Sequence, residues 1–204
     1  MKKIGCIALL LMIPLWVFAA GNAEEGKTKS AVCAACHGGD GNSVNPEWPS
    51  LAGQHEKYLI TQLKAFKIGQ AAGGRVNPLM APIVASLTDQ DIEDLAAYFS
   101  SQTLKVGATP QEHVALGQAI YRGGDLKKGI SACSACHGPQ GLGNPEANFP
   151  RLSGQQPAYV TNQLKQYKSR ERNTNSNSVI MQQIAQHMDD KDMAAIGYYV
   201  TGLH

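Results

Sequence analysis

Cys33, Cys36 and His37 stand in the order Cys-Ala-Ala-Cys-His, and the order returns as Cys133-Ser134-Ala135-Cys136-His137. Two thiols three residues apart, with an imidazole directly after them, match the attachment chemistry of a c-type haem. The thiols add to the haem vinyl groups and the imidazole becomes the proximal iron ligand. On a helix, positions i and i+3 share a face, so both sulfurs can meet one porphyrin edge. The expected chemistry is therefore two covalent haem c groups, on Cys33 and Cys36 and on Cys133 and Cys136, with His37 and His137 on the irons. A zinc ion held by two Cys-x-x-Cys pairs would leave both trailing histidines without a role. A thioredoxin-like dithiol lacks a strand–helix unit around either pair.

Met80 and Met181 are the candidates for the opposite side of each iron. Met80 is the only methionine of the first half beyond the start of the chain. Met181 lies 101 residues later, whereas Met188 and Met193 fall on Leu87 and Ile92, ordinary core positions. Thioether ligation raises the potential of a haem iron. Met80 is expected in an irregular stretch free to aim its sulfur, and Met188 and Met193 in packing. Among the remaining histidines, His187 is nearest to Met181 and is the alternative ligand. Pro49 and Pro150 lie where a carbonyl could accept the proximal imidazole N–H and fix the ring. Tyr58/Tyr159 and Tyr98/Tyr199 recur as pairs, expected in packing, and a hydroxyl near a domain boundary could also bind a haem propionate.

These residues sit in a duplicated chain. Residues 31–38 match 131–138, and Pro49-Ser50-Leu51-Ala52-Gly53-Gln54 matches Pro150-Arg151-Leu152-Ser153-Gly154-Gln155. Residues 1–19 read as a cleaved signal peptide, with Lys2 and Lys3 before an apolar run and Val17-Phe18-Ala19 at its exit. A retained anchor is the other reading of that run. Export to the periplasm follows, and no cysteine beyond Cys6 is left outside the two haem motifs. The division is 20–103 and 112–204 for two domains, with 104–111 as linker, broken by Gly107 and Pro110.

Periodicity predicts an all-α chain. Helices are expected over 24–36, 56–68, 112–122, 126–136, 157–169 and 189–201, with Thr88 capping another. The mature chain carries 16 basic and 16 acidic residues, at −2 over residues 20–108 and +2 over 109–204. That balance excludes a basic tract suited to nucleic acid. A modest dipole could orient the protein on a charged partner.

The paired haem motifs, the Pro-x-Leu-x-Gly-Gln stretches, the paired methionines, residues 96–102 and the terminal Thr201-Gly202-Leu203-His204 together resemble the cytochrome c4 family. The resemblance covers essentially the whole mature chain, with a short stretch between Ile68 and Met80 as its departure. It implies two class I cytochrome c domains with facing haems and His/Met ligation by His37 with Met80 and His137 with Met181. It further implies an electron carrier rather than an enzyme, working in the periplasm between an upstream donor and a membrane-bound terminal oxidase, with peripheral membrane association open. The rival function is a dihaem oxidoreductase, peroxidase-like or acting on sulfur compounds, with one open haem position.

Overall fold

The computed structural model describes residues 20–204, so the expected signal peptide over 1–19 lies outside the described residues. The helices of the first repeat are α1 (Ala23–Lys29), α2 (Ala31–His37), α3 (Glu56–Ile68), α4 (Met80–Val84) and α5 (Asp89–Ser101). Those of the second are α6 (Gln111–Gly123), α7 (Ser134–His137), α8 (Pro157–Lys168), α9 (Ser176–Ala185) and α10 (Asp190–Thr201). No strand occurs among the described residues, only the isolated bridges Asp125–Ile130 and Asn144–Phe149.

Each repeat is organised by the crossing of its first and last long helices. In the first, α1 packs on α5, and α5 on α3; in the second, α6 packs on α10, and α10 on α8. Ile92, Leu95, Ala96 and Phe99 form the buried stripe of α5, as the 3.6-residue period requires. Ile120 and Tyr121 from α6 meet Met193, Ile196, Tyr199 and Val200 from α10. Met188 and Met193 are each 1% exposed, so both are core. Thr88 closes a capping box with Asp91 at the start of α5, and Asp189 does so with Asp192 on α10.

Three elements differ from the periodic reading. The expected helix 24–36 is broken at Ser30, whose Oγ donates to the Lys27 carbonyl and ends α1. The expected helix 126–136 is a turn for most of its length. Asp125 and Ile130 exchange backbone bonds of 2.8 Å, and Asp125 Oδ1 accepts from the N–H groups of Lys127 and Lys128. Local side-chain bonding by Asp125 outcompetes the helix. Met80 is not in irregular chain, because Asn77 Oδ1 accepts from the N–H groups of Leu79 and Met80 and α4 begins there.

The connection 103–110 has no regular structure but is fastened to both repeats. Asn42 Nδ2 donates to the Thr103 carbonyl, Asn42 Oδ1 accepts from Lys105 N–H, and Gly107 N–H donates to the Thr201 carbonyl.

Lysines pair with carboxylates at three places. Lys29 bridges Asp91 and Asp94 at 2.7 and 2.6 Å, and Lys128 bridges Asp189 and Asp192 at 2.8 and 2.7 Å. Hydrogen bonds from Lys105 and from Lys128 hold Asp40 and Asp189, respectively, at about 2 instead of 3.8. A depressed carboxylate stabilises the fold above its ordinary range, and that contribution is lost as pH falls through the folded value. The thermal midpoint of the haem-loaded protein is therefore expected to fall as pH drops from about 4 to about 2. Melting curves across that range check it, and added salt should shrink the effect because the Lys105–Asp40 and Lys128–Asp189 pairs are largely exposed.

Candidate functional site

Cys33 and Cys36 lie on α2, Cys133 is the residue that precedes α7, and Cys136 lies within α7. His37 and His137 end those helices and are 7% and 6% exposed. Each imidazole Nδ1 sits 2.8 Å from the Pro49 carbonyl or 2.9 Å from the Pro150 carbonyl. A carbonyl only accepts, so Nδ1 carries the proton and Nε2 keeps its lone pair for a metal. Burial lowers the pKa of both rings, outweighing the carbonyl bond, which keeps them neutral, the form that binds iron.

The two prolines are themselves held. Gly41 O accepts from the N–H groups of Leu51 and Ala52 at 2.7 and 3.0 Å, and Gly141 O accepts from those of Leu152 and Ser153 at the same distances. Gly41 takes φ 77°, and a Cβ there would lie 2.9 Å from the Ala52 nitrogen, so only glycine permits this clamp. The turn after each haem motif is also tied down by a tyrosine. Tyr98 Oη donates to the Gly39 carbonyl at 3.0 Å and Tyr121 Oη to the Gly138 carbonyl at 2.7 Å. The sequence pairs Tyr98 with Tyr199, but in the second repeat Tyr121, from a different helix, makes this bond.

The competing chemistries fit poorly. A reactive dithiol needs a depressed thiol pKa, yet burial pushes Cys33 up to about 11 and Cys133 up to about 12. No cluster of three or more His, Cys, Asp or Glu able to hold a metal ion occurs among the described residues, so the two thiol pairs do not converge on a zinc. The residues fit covalent haem instead, with two sulfurs and one neutral imidazole in each repeat. Cys133 and Met181 pack partly buried against one core cluster, and Cys33 against the core of the first repeat. Met80 opens α4 half-buried and Met181 lies within α9. His187 is exposed, its ring beside Gly129.

The repeats meet through reciprocal bonds. Gln54 Nε2 donates to the Arg151 carbonyl and Gln54 Oε1 accepts from Arg151 N–H, both at 2.9 Å. Gln155 does the same to Ser50, at 3.0 and 2.8 Å. His55 and Gln156, equivalent positions, reach the carbonyls of Leu142 and Ser43 in the opposite repeats. Tyr58 and Tyr159 also meet the opposite repeat, through Arg172 and Arg75.

Sequence reasoning missed those two arginines. With the 101-residue offset, Arg75 falls on Ser176 and Arg172 on Ala71. The structure equates them, because Arg75 N–H donates to Ala65 O and Arg172 N–H to Gln166 O, positions that do match. Each guanidinium also covers the matching ring, Phe66 at 4.5 Å and Tyr167 at 4.7 Å. The recurring ring-then-arginine order was the available signal.

The sequence matches the family model described as cytochrome c twice, over residues 23–103 and 114–204. It is similar to cytochrome c4 of Azotobacter vinelandii, 44% identical over 208 residues spanning 100% of this chain and 99% of that protein. It is also similar to a thiosulfate dehydrogenase electron acceptor of Thiomonas intermedia, 36% identical over 98% of this chain and 91% of that one. The crystal structure of reduced recombinant cytochrome c4 from Pseudomonas stutzeri superposes with a TM-score of 0.86 at 44% identity, covering 91% of this chain and 100% of that chain.

Proposed function

The chain belongs to the cytochrome c4 family, dihaem electron-transfer proteins of two cytochrome c domains, and from that premise we propose that it shuttles electrons in the periplasm to a membrane-bound terminal oxidase. Its domains are taken as 20–103 and 112–204, joined by 104–111, after removal of residues 1–19. Its upstream donor is a quinol-oxidising respiratory complex. The likeness to an electron acceptor of thiosulfate dehydrogenase supports a sulfur-compound dehydrogenase as a second donor class.

One observation supports the shuttle reading: both repeats carry the same candidate ligands. In each, a proline carbonyl fixes the imidazole with Nε2 free, and a methionine stands at the matching position, 80 or 181. We assign His37 and Met80 to one iron and His137 and Met181 to the other, with Cys33, Cys36, Cys133 and Cys136 as the covalent anchors. Each bound haem supplies one-electron exchange between ferric and ferrous iron. The chain's own part is to close the sixth position and exclude substrate. The proline carbonyls hold the rings in one orientation, and the tyrosine-tied turns keep that geometry fixed through the redox cycle.

The absorption spectrum of the oxidised protein, with haem content, tests this. Two haems per chain and methionine–iron charge-transfer intensity for both are expected. Intensity for one alone would overturn the shuttle and bring forward a dihaem oxidoreductase with an open site. Rates of reduction by a quinol-oxidising complex and by thiosulfate dehydrogenase separate the two donor classes.

A further inference from the structure

Met80 and Met181 are carried by segments that are fastened very differently. The two segments share one bond at each end. Arg75 N–H donates to the Ala65 carbonyl where the first segment leaves α3, and Arg172 N–H donates to the Gln166 carbonyl where the second leaves α8. At the far ends, Lys67 Nζ donates to the Leu87 carbonyl and Lys168 Nζ to the Met188 carbonyl. Between those ends the likeness stops.

The second segment is held along its length. Helix α9 runs for 10 residues, and Met181 lies inside it. Asn175 closes a capping box with Ser178 at its start. Asn177 Nδ2 donates to the Ala147 carbonyl at 2.9 Å. Gln182, the residue after Met181, donates from Nε2 to the Arg172 carbonyl at 2.9 Å. Met181 and Ile184 pack against the core of that repeat.

The first segment has none of these fastenings. Helix α4 runs for 5 residues, and Met80 is the first of them. Asn77 Oδ1 accepts from the N–H groups of Leu79 and Met80, which ties the segment only to itself. The positions that match Asn177 and Gln182 hold Val76 and Ala81, whose side chains have no donor. Val76 and Leu79 are 60% and 64% exposed, and Val84 is the one buried residue of α4. A segment with few bonds to its surroundings opens more often than one with many. A ligand that needs the open form binds in proportion to how often that form occurs.

We infer that the first repeat carries a ligand-binding site that the second keeps shut: the α4 segment swings aside, and a compact lone-pair donor such as imidazole takes the iron position of the Met80 thioether. The inference rests on the His/Met reading above and goes beyond it. The exchange is a substitution. The bond from the Met80 sulfur to iron breaks, a bond from the neutral incoming nitrogen forms, and no electron or proton changes hands. Loss of the thioether lowers the potential of that haem. A captured ligand therefore changes the electron balance between the two repeats, while the second repeat remains a carrier.

Haem content and methionine–iron absorption of the unaltered ferric protein come first, because failure there overturns the dihaem reading itself. Imidazole is then titrated into the same protein and the band is followed. Half of the intensity is expected to disappear at one imidazole concentration, and the other half only at about tenfold more, since two further hydrogen bonds and a cap hold the second segment. Met181→Ala leaves the band of the first haem, which should be lost at the lower concentration. Met80→Ala leaves that of the second, which should resist to the higher one. Gln182→Ala removes a fastening and no ligand. It should lower the concentration needed at the second haem about fivefold and leave the first unmoved. Loss of both halves together, loss of the second haem's band first, no loss from either haem, or a Gln182→Ala titration identical to that of the unaltered protein would overturn the inference while leaving the dihaem reading in place.

Discussion

Met181→Ala is expected to halve the methionine–iron charge-transfer intensity per chain and to open one haem of two to exogenous ligands. The side chain is partly buried against the core of the second repeat, so its loss removes a thioether and leaves that core largely in place. No neighbour can replace it. Met188 and Met193 are locked in the core at 1% exposure, and His187 lies exposed beside Gly129. Without the thioether the potential of that haem should fall, since methionine ligation is what raises it. Absorption of the ferric protein, a titration with imidazole and a potentiometric titration read all three effects. Full intensity from both haems in the variant would remove Met181 from the ligand set. Met80→Ala should reproduce the pattern on the first haem, and the double variant should show no such band.

The second large effect is on stability. Gly117 lies on α6 where that helix crosses α10, and a Cβ there would stand 2.5 Å from Tyr199 Cβ and 2.7 Å from the Ala195 carbonyl oxygen. Gly26 occupies the matching crossing of α1 on α5, where a Cβ would stand 2.0 Å from the Asp94 carbonyl oxygen. Backbone on the far side cannot rotate away, so any larger residue must push the helices apart. Gly117→Val is expected to lower the unfolding free energy by about 3 kcal/mol or more. Gly123, at the end of the same helix, has open space around its Cβ direction, and Gly123→Ala should be neutral or slightly stabilising. Urea titration of the haem-loaded variants gives the comparison. The crossing also bears on the site, because Tyr121 on α6 holds the turn after the second haem motif.

The helices legible in the sequence are those whose stability comes from a continuous apolar stripe. Glu56–Ile68, Gln111–Gly123, Pro157–Lys168 and Asp190–Thr201 all fall within a residue or so of the periodic reading. The stretch 125–130 was not legible, because Leu126 gives it an apolar residue while Asp125 takes over its backbone, and Leu126 ends 94% exposed. The resemblance and the duplicated spacing carried the cofactor, and proline carbonyls at the imidazoles followed from the same spacing. The arginine pair did not, for a physical reason. Loops of different length reach one point in space, and Arg75 and Arg172 are equated by where their N–H groups bond rather than by counting residues. Gln62 and Gln163, each of which accepts from both arginines, were visible as a repeated pair, but nothing in a sequence states that a repeated residue faces its own copy.

The reciprocal bonds of Gln54 with Arg151 and Gln155 with Ser50 place residue i of one half on residue j of the other and the reverse. That is the contact pattern of an isologous dimer with a two-fold axis running between its protomers. A single ancestral unit pairing with its own copy would make every one of these bonds with no connecting chain at all. The segment fused between the halves then supplies effective concentration, turning a bimolecular encounter into an intramolecular one. Fusion also frees the two copies to diverge, which is how one half can come to carry a charge of −2 and the other +2 while the axis between them is kept.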